Sequence, residues 1–173
     1  DVAIVGCGNF GFSTIGYYLT KSTSAQIKYA LDIDKSRARS LATKYRAYCA
    51  TVDFESILAD EEVRIIYISS NHHSHARYAI KAIEAGKHVH IEKPHAVSES
   101  QLDDLMGAMK VNPSSKVFLG FNRPRSTIFK RLMSALDKEN GTIMVNWFIA
   151  GHGIADDHWY FSSKEGGRIL GNL

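Results

Sequence analysis

Short apolar runs alternate along the chain with longer stretches whose apolar positions recur at helical spacing. The runs are Val2–Val5 (VAIV), Ile27–Leu31 (IKYAL), Ile65–Ser69 (IIYIS), His88–Ile91 (HVHI) and Lys116–Gly120 (KVFLG), with a very short one around Tyr48–Ala50. Between them, "SRARSLATKYR" and "SHARYAIKAIEAG" repeat apolar residues every three or four positions, and Gly86 is placed as a helix C-cap. Strand alternating with helix at this cadence predicts an α/β fold with a parallel sheet covered on both faces. After Asn122 the rhythm changes. A helical pattern near 126–138 leads through Asn140-Gly141 into Thr142–Ala150, where Ile143, Val145, Trp147 and Ile149 alternate as in a strand with one sheltered face. The expected organisation is a first domain over 1–121, then the beginning of an incomplete α+β second domain over 122–173.

Composition narrows the classes. Of 173 residues, 45% are hydrophobic and 23% charged, which is ordinary for a globular protein. The formal charge of +3 is spread among both signs, without the basic stripe that a nucleic-acid partner requires. Cys7 and Cys49 form no CxxC, which fits a reducing compartment and a cytoplasmic location. No run approaches the roughly 18 apolar residues of a membrane helix, and no signal peptide precedes the first strand. Asp1 enters that strand without an initiator Met, and "GGRILGNL" stops as a helix begins, so the chain reads as a piece of something longer.

The first run enters Gly6-Cys7-Gly8-Asn9-Phe10-Gly11, a G-x-G-x-x-G that opens a helix over Phe12–Thr20. Asp32 follows, 21 residues past Gly11, at the end of the second run. In that context Gly6 permits the tight turn, Gly8 lets a pyrophosphate approach the backbone, and Gly11 lets helix and strand pack closely. The helix N-terminus offers unpaired N–H groups to the anion. Asp32 would accept from both adenosine ribose hydroxyls and repel a 2′-phosphate, which favours NAD; nearby Lys35 and Arg37 keep NADP open. Two other readings of this motif are a purely structural glycine turn and a methyltransferase that binds S-adenosylmethionine.

A second landmark is "SSNHHSHARYAIKAIEAGKHVHIEKP" (69–94), followed by "GFNRPRS" (120–126) and "DDHWYFSSKEGGRILG" (157–171). With the glycine loop these make four ordered motifs, and together they resemble the Gfo/Idh/MocA oxidoreductases, named for glucose–fructose oxidoreductase and inositol dehydrogenase. The last two segments are most similar to the version found in two-domain oxidoreductases behind a zinc-type alcohol dehydrogenase module. The resemblance implies a Rossmann-type parallel sheet with helices on both faces, and a cofactor held by Gly6, Gly8, Asn9, Phe10, Gly11, Asp32, Ser69, Asn71, His75, Glu92 and Lys93. It implies that Glu92 touches the nicotinamide ribose, and that Lys93, fixed by Pro94, points at the substrate hydroxyl that loses hydride. A lysine beside a positively charged nicotinamide also has reason to lose its proton easily.

The other polar residues carry two readings each. Asn71 and Ser74 serve equally as helix caps, and His75 either approaches the cofactor or closes the helix start. Asn122 and Arg123 match a stretch that reaches substrate at the domain junction, where Arg123 and Arg125 would otherwise form ion pairs. His158, in a loop with Asp157 and Trp159, is the further catalytic and substrate-binding candidate. His72, His73, His88, His90 and His95 are assigned to surface or packing, and no metal site is expected, because no carboxylate or Cys completes one at a familiar spacing.

The chain also departs from the family pattern. An Asp expected five residues after Gly166 is Gly171, with Asn172 beside it, and the His expected four residues later falls beyond Leu173. The expected function is transfer of hydride between NAD, or NADP, and a secondary alcohol or ketone of a sugar, cyclitol or sugar derivative, in a homo-oligomer assembled through the second domain. Neither nucleic acid nor membrane is an expected partner. The rival is a dinucleotide-binding regulator or scaffold that keeps the fold without turnover.

Overall fold

The computed structural model describes residues 1–165 apart from 23, 52, 139, 147 and 149–152. Six parallel strands form one sheet: β1 (Val2–Val5), β2 (Ile27–Leu31), β3 (Cys49–Thr51), β4 (Ile65–Ile68), β5 (His88–Ile91) and β6 (Val117–Leu119). Their order across the sheet is β3-β2-β1-β4-β5-β6. The order reverses between β1 and β4, which start neighbouring crossovers in opposite directions and so leave a crevice beyond their C-terminal ends.

Helices α1 (Tyr17–Ser22), α2 (Lys35–Tyr45), α3 (Phe54–Ala59), α4 (His75–Glu84) and α5 (Glu99–Val111) connect the strands. Ile15, Leu19, Ala38 and Leu41 pack with Val2, Ile4, Ile27 and Ala30 on one face. Phe54, Ile57, Ala79, Ile83 and Leu105 cover Val5, Ile66, Ile68, Val89 and Ile91 on the other. Each Val, Leu, Ile or Phe side chain so removed from water stabilises the fold by about 1.5–3 kcal/mol. The expected α/β parallel sheet with helices on both faces is the observed one.

Burial explains why the strands read differently. All four residues of β1 are buried, as a central strand covered on both faces requires. In β4 and β5, Ile66, Ile68, Val89 and Ile91 are buried, whereas Ile65, Tyr67, His88 and His90 are half-buried. Tyr67 and His90 are register partners, and their rings lie 5.3 Å apart between centroids. The histidines of "HVHI" therefore occupy the lightly covered face.

Local signals set the helix ends. Asp34 caps α2 by accepting from Ser36 N, and Ser98 caps α5 by accepting from Gln101 N. At the end of α4, Gly86 has φ +74°, its N–H donates to Ile83 O, and Lys87 N donates to Ala82 O. That pair of bonds is the Schellman closure, which needs a left-handed residue and so favours glycine. The helix expected over 12–20 begins instead as a π-wound stretch, Gly11–Gly16, before α1. Two glycines weaken the α preference there, and Ser13 Oγ donates to the carbonyl of Asn9 and holds the widened turn.

The chain divides into two compact units, residues 1–120 with 159–173, and residues 121–158. The sequence assigned all of 122–173 to the second domain; the described residues 159–165 fall in the first unit. The second unit contains α6 (Thr127–Leu136), capped by Ser126, which accepts from Phe129 N. The strand expected over 142–150 is not formed among its described residues, 142–146 and 148. Met144 is 85% and Phe148 92% exposed. A lone strand has no backbone partner and no face to bury, so the apolar alternation there does not suffice. Trp147, Ile149 and Ala150 lie outside the described residues.

Candidate active site

The C-terminal ends of the strands leave the sheet at one level, because each loop begins with a bond to its neighbour. Gly6 N donates to Leu31 O, Ser69 N to Val5 O, Glu92 N to Ile68 O and Gly120 N to Ile91 O, at 2.7–2.9 Å. Gly6, Asp32, Ser69, Asn71, Glu92 and Lys93 thus project along the same sheet edge.

The glycine loop sits at the reversal of strand order. Gly6 has φ +91°, and a Cβ there would lie 2.3 Å from Ser70 N. A Cβ on Gly11 would lie 2.2 Å from Gly6 O, while one on Gly8 meets nothing within 4 Å. Two glycines are therefore required by packing, and the third leaves the backbone open, which fits the approach of a pyrophosphate. Asn9 and Phe10 are exposed on the loop, and Ser69 Oγ donates to Gly6 O at 2.9 Å.

Asp32 is buried at the end of β2. Its Oδ2 accepts from Cys7 N at 2.7 Å and its Oδ1 from Asp34 N at 2.9 Å. These bonds fix the carboxylate beside the loop and leave lone pairs for hydroxyl donors. Burial, aided by the charge of Asp32, pushes the Cys7 thiol up to about 12, so this cysteine is an inert packing group.

At the end of β5, burial raises the pKa of Glu92, while the N–H and charge of Lys93 act against the rise. Its carboxylate lies over Gly120, where a Cβ would come 2.7 Å from Glu92 Oε1. Lys93 follows, joined to Pro94 by a cis peptide, with Nζ 5.9 Å from the centroid of the Tyr160 ring. That distance allows a cation–π attraction.

His75 is 1% exposed. Its Nδ1 lies 2.8 Å from Pro94 O and its Nε2 2.9 Å from Ser70 O, so backbone carbonyls occupy both ring nitrogens. The alternative of direct approach to the cofactor is not what this geometry shows. Asn71 is similarly engaged: its Oδ1 accepts from Ser74 Oγ and its Nδ2 donates to Glu165 Oε1.

Glu165 is a buried acid beside Asn71 that the sequence did not reveal. It is 6% exposed, and its carboxylate accepts from Asn71 Nδ2 and His73 N and lies 2.6 Å from His73 Nδ1. Burial raises its pKa, but these bonds outweigh that effect and lower it. His72, held down by burial, stacks edge-on against Trp159 and Tyr160. The only sequence signal was an acid before Gly166-Gly167, which is indistinguishable from a surface glutamate.

Asn122, Arg123 and His158 belong to the second unit, and all three are exposed. Gly166, Gly167, Gly171 and Asn172, where the motif departs from the family, lie outside the described residues. Among the described residues no group of three or more His, Cys, Asp or Glu could hold a metal ion. No helix among them is long and apolar enough to cross a membrane.

A glycine loop at the reversal of strand order, with a buried acid after the second strand, defines a dinucleotide-binding α/β module. Residues 1–121 match the model of the Gfo/Idh/MocA oxidoreductase family, NAD-binding Rossmann fold, and the chain belongs to that family. It is 30% identical to myo-inositol 2-dehydrogenase of Thermotoga maritima over 143 residues, which are 82% of this chain and 41% of that protein. It is 41% identical over 73 residues, 42% of this chain and 22% of the relative, to an uncharacterised oxidoreductase, ORF334, of Rhizobium meliloti. Among solved structures, GenD2 from gentamicin A biosynthesis, in complex with NAD, superposes with a TM-score of 0.73 at 26% identity, covering 79% of this chain and 38% of that one. The chain thus spans well under half the length of these relatives. Membership in an NAD-binding oxidoreductase family removes the methyltransferase alternative.

Proposed function

We propose that this chain carries the cofactor-binding and proton-transferring part of a dehydrogenase that acts on a secondary alcohol or ketone of a sugar or cyclitol. The observation that carries this reading is the alignment of the Gly6–Gly11 loop, Asp32 and Lys93 along one edge of the parallel sheet. The named activity of the Thermotoga relative supports the substrate class.

Bound nicotinamide supplies the hydride acceptor or donor. Asp32 takes ribose hydroxyl donors on the lone pairs left by Cys7 and Asp34, which favours NAD over NADP. Lys93, as the free amine, takes the proton of the substrate hydroxyl during oxidation and returns it as the ammonium during reduction. Glu92, immediately before it, has its carboxylate over Gly120 and is assigned to the nicotinamide ribose. Asn122, Arg123 and His158 are assigned to the substrate side, and the second domain forms the contacts between copies of a homo-oligomer.

The test is NAD-linked oxidation of myo-inositol and a panel of related cyclitols and sugars by the full-length protein, compared with Lys93→Ala. Loss of the proton-transferring amine is expected to lower kcat by about 10²–10⁴-fold, with NADH affinity retained. Turnover that survives unchanged in Lys93→Ala contradicts the assignment. Binding of NADH without turnover of any panel member in the unaltered protein would favour the regulator or scaffold reading.

A further inference from the structure

Strand β5 ends at Ile91, so its ladder does not reach as far as Lys93. Beyond that point the chain must be held by something else. The carbonyl of the next residue, Pro94, meets Nδ1 of His75 at 2.8 Å, and the same ring meets Ser70 O through Nε2 at 2.9 Å. Ser70 lies just past β4 in the segment that also packs under Gly6. One buried ring therefore joins the turn that bears Lys93 to the loop beside the glycine motif.

We infer that His75 is a positioning residue for Lys93: its imidazole clamps Pro94 O to Ser70 O and so fixes where the amine is presented. The inference rests on the proposed role of Lys93. Its chemistry is specific to the ring. Both neighbours are acceptors, so an aliphatic side chain donates to neither, and no other side chain of this size carries two opposed ring nitrogens. Burial favours the neutral ring, whereas the two carbonyls favour added protonation, and burial dominates. The neutral ring donates its one N–H to one of the two carbonyls, and the other nitrogen bonds the second carbonyl only when it also carries a proton.

Lys93 then stands with its ammonium near the Tyr160 ring. Loosening the clamp releases the lysine from that location, whereas the glycine loop and Asp32, where dinucleotide binding is proposed to begin, keep their own bonds from Gly6 N to Leu31 O and from Cys7 N to Asp32 Oδ2. Fixing a catalytic group within a fraction of an ångström is worth large factors in rate, so the clamp acts on kcat rather than on cofactor affinity.

The experiment is competitive acetylation of the full-length protein with acetic anhydride, without cofactor. Labelling of Lys93 is read by mass spectrometry as a ratio to the exposed Lys44. His75→Leu is expected to raise the ratio roughly tenfold, the effect of losing about one ordinary hydrogen bond that holds the amine in place. His75→Gln, whose amide can still donate to a carbonyl, is expected to stay near the unaltered value. An unchanged or lowered ratio in folded His75→Leu overturns the inference. Should that variant fail to fold, the ring N–H of His75 in the unaltered protein decides: slow exchange in ¹⁵N-detected NMR supports the clamp, and free exchange with water overturns it. A parallel NADH titration separates the two proposals, since absence of binding would sink the dehydrogenase reading while leaving the labelling result intact.

Discussion

Residues 1–120 and residues 121–158 differ in what holds their elements together. The first region buries aliphatic side chains on both faces of a six-stranded sheet. In the second, no described residue is buried, yet α6 is formed. A helix closes its backbone hydrogen bonds within itself, and Ser126 caps the start of α6. A strand needs a neighbour, and the apolar alternation of 142–148 finds none among the described residues. The same kind of sequence pattern therefore has different force in the two regions: it is sufficient for local structure in one element type and insufficient in the other.

The strongest way to break this contrast lies at the glycine loop. Gly6→Ala combines a left-handed φ with a Cβ 2.3 Å from backbone, and is expected to destabilise the first unit by more than about 3 kcal/mol. Urea denaturation measures this; a cost below about 1 kcal/mol would show that the loop can relax. Next in size is a matched pair of truncations. Ile83 on α4 is 0% exposed and Ile128 on α6 is 75% exposed. Ile83→Ala should cost about 2–5 kcal/mol, whereas Ile128→Ala should stay within about 0.5 kcal/mol. Equal costs would mean that α6 is packed as tightly as α4.

The fold of the first region was legible because its signals are repeated and local. Every strand was bounded to within a residue or so by its apolar run, and Gly86 marked a helix end through the one backbone conformation it needs. The glycine loop and Asp32 were legible from spacing. Glu165 and the double engagement of His75 were not. Both depend on partners distant in the chain, 94 residues from Asn71 to Glu165 and 19 from His75 to Pro94, and neither changes the local hydrophobic pattern. The half-covered face of β4 and β5 was only partly visible, as histidines alternating with Val89 and Ile91.

A smaller effect, spread over several groups, is the acid response of the first region. Burial, then His75 and His90, push His95 down to about 4 from its ordinary value of 6.5. Burial also lowers His72 and His75. Between pH 6.5 and 4 the unfolded chain binds more protons at these sites than the folded chain, so stability is full above that window and declines as pH falls through it. Glu92, raised by burial, works in the opposite direction and recovers part of the loss in acid. The urea midpoint should therefore fall between about pH 7 and about pH 4.5, less steeply in His95→Gln. A flat midpoint would contradict the buried, neutral state of these rings.

The most direct measurement is a fluorescence titration of the protein with NADH and with NADPH, repeated for Asp32→Ala. The account predicts saturable NADH binding, weaker NADPH binding, and a loss of NADH affinity of about 10–100-fold in the variant, the worth of a hydrogen bond to a charged group. Equal binding of the two cofactors, unaffected by Asp32→Ala, would contradict the central claim that this sheet edge is built around a ribose-reading acid.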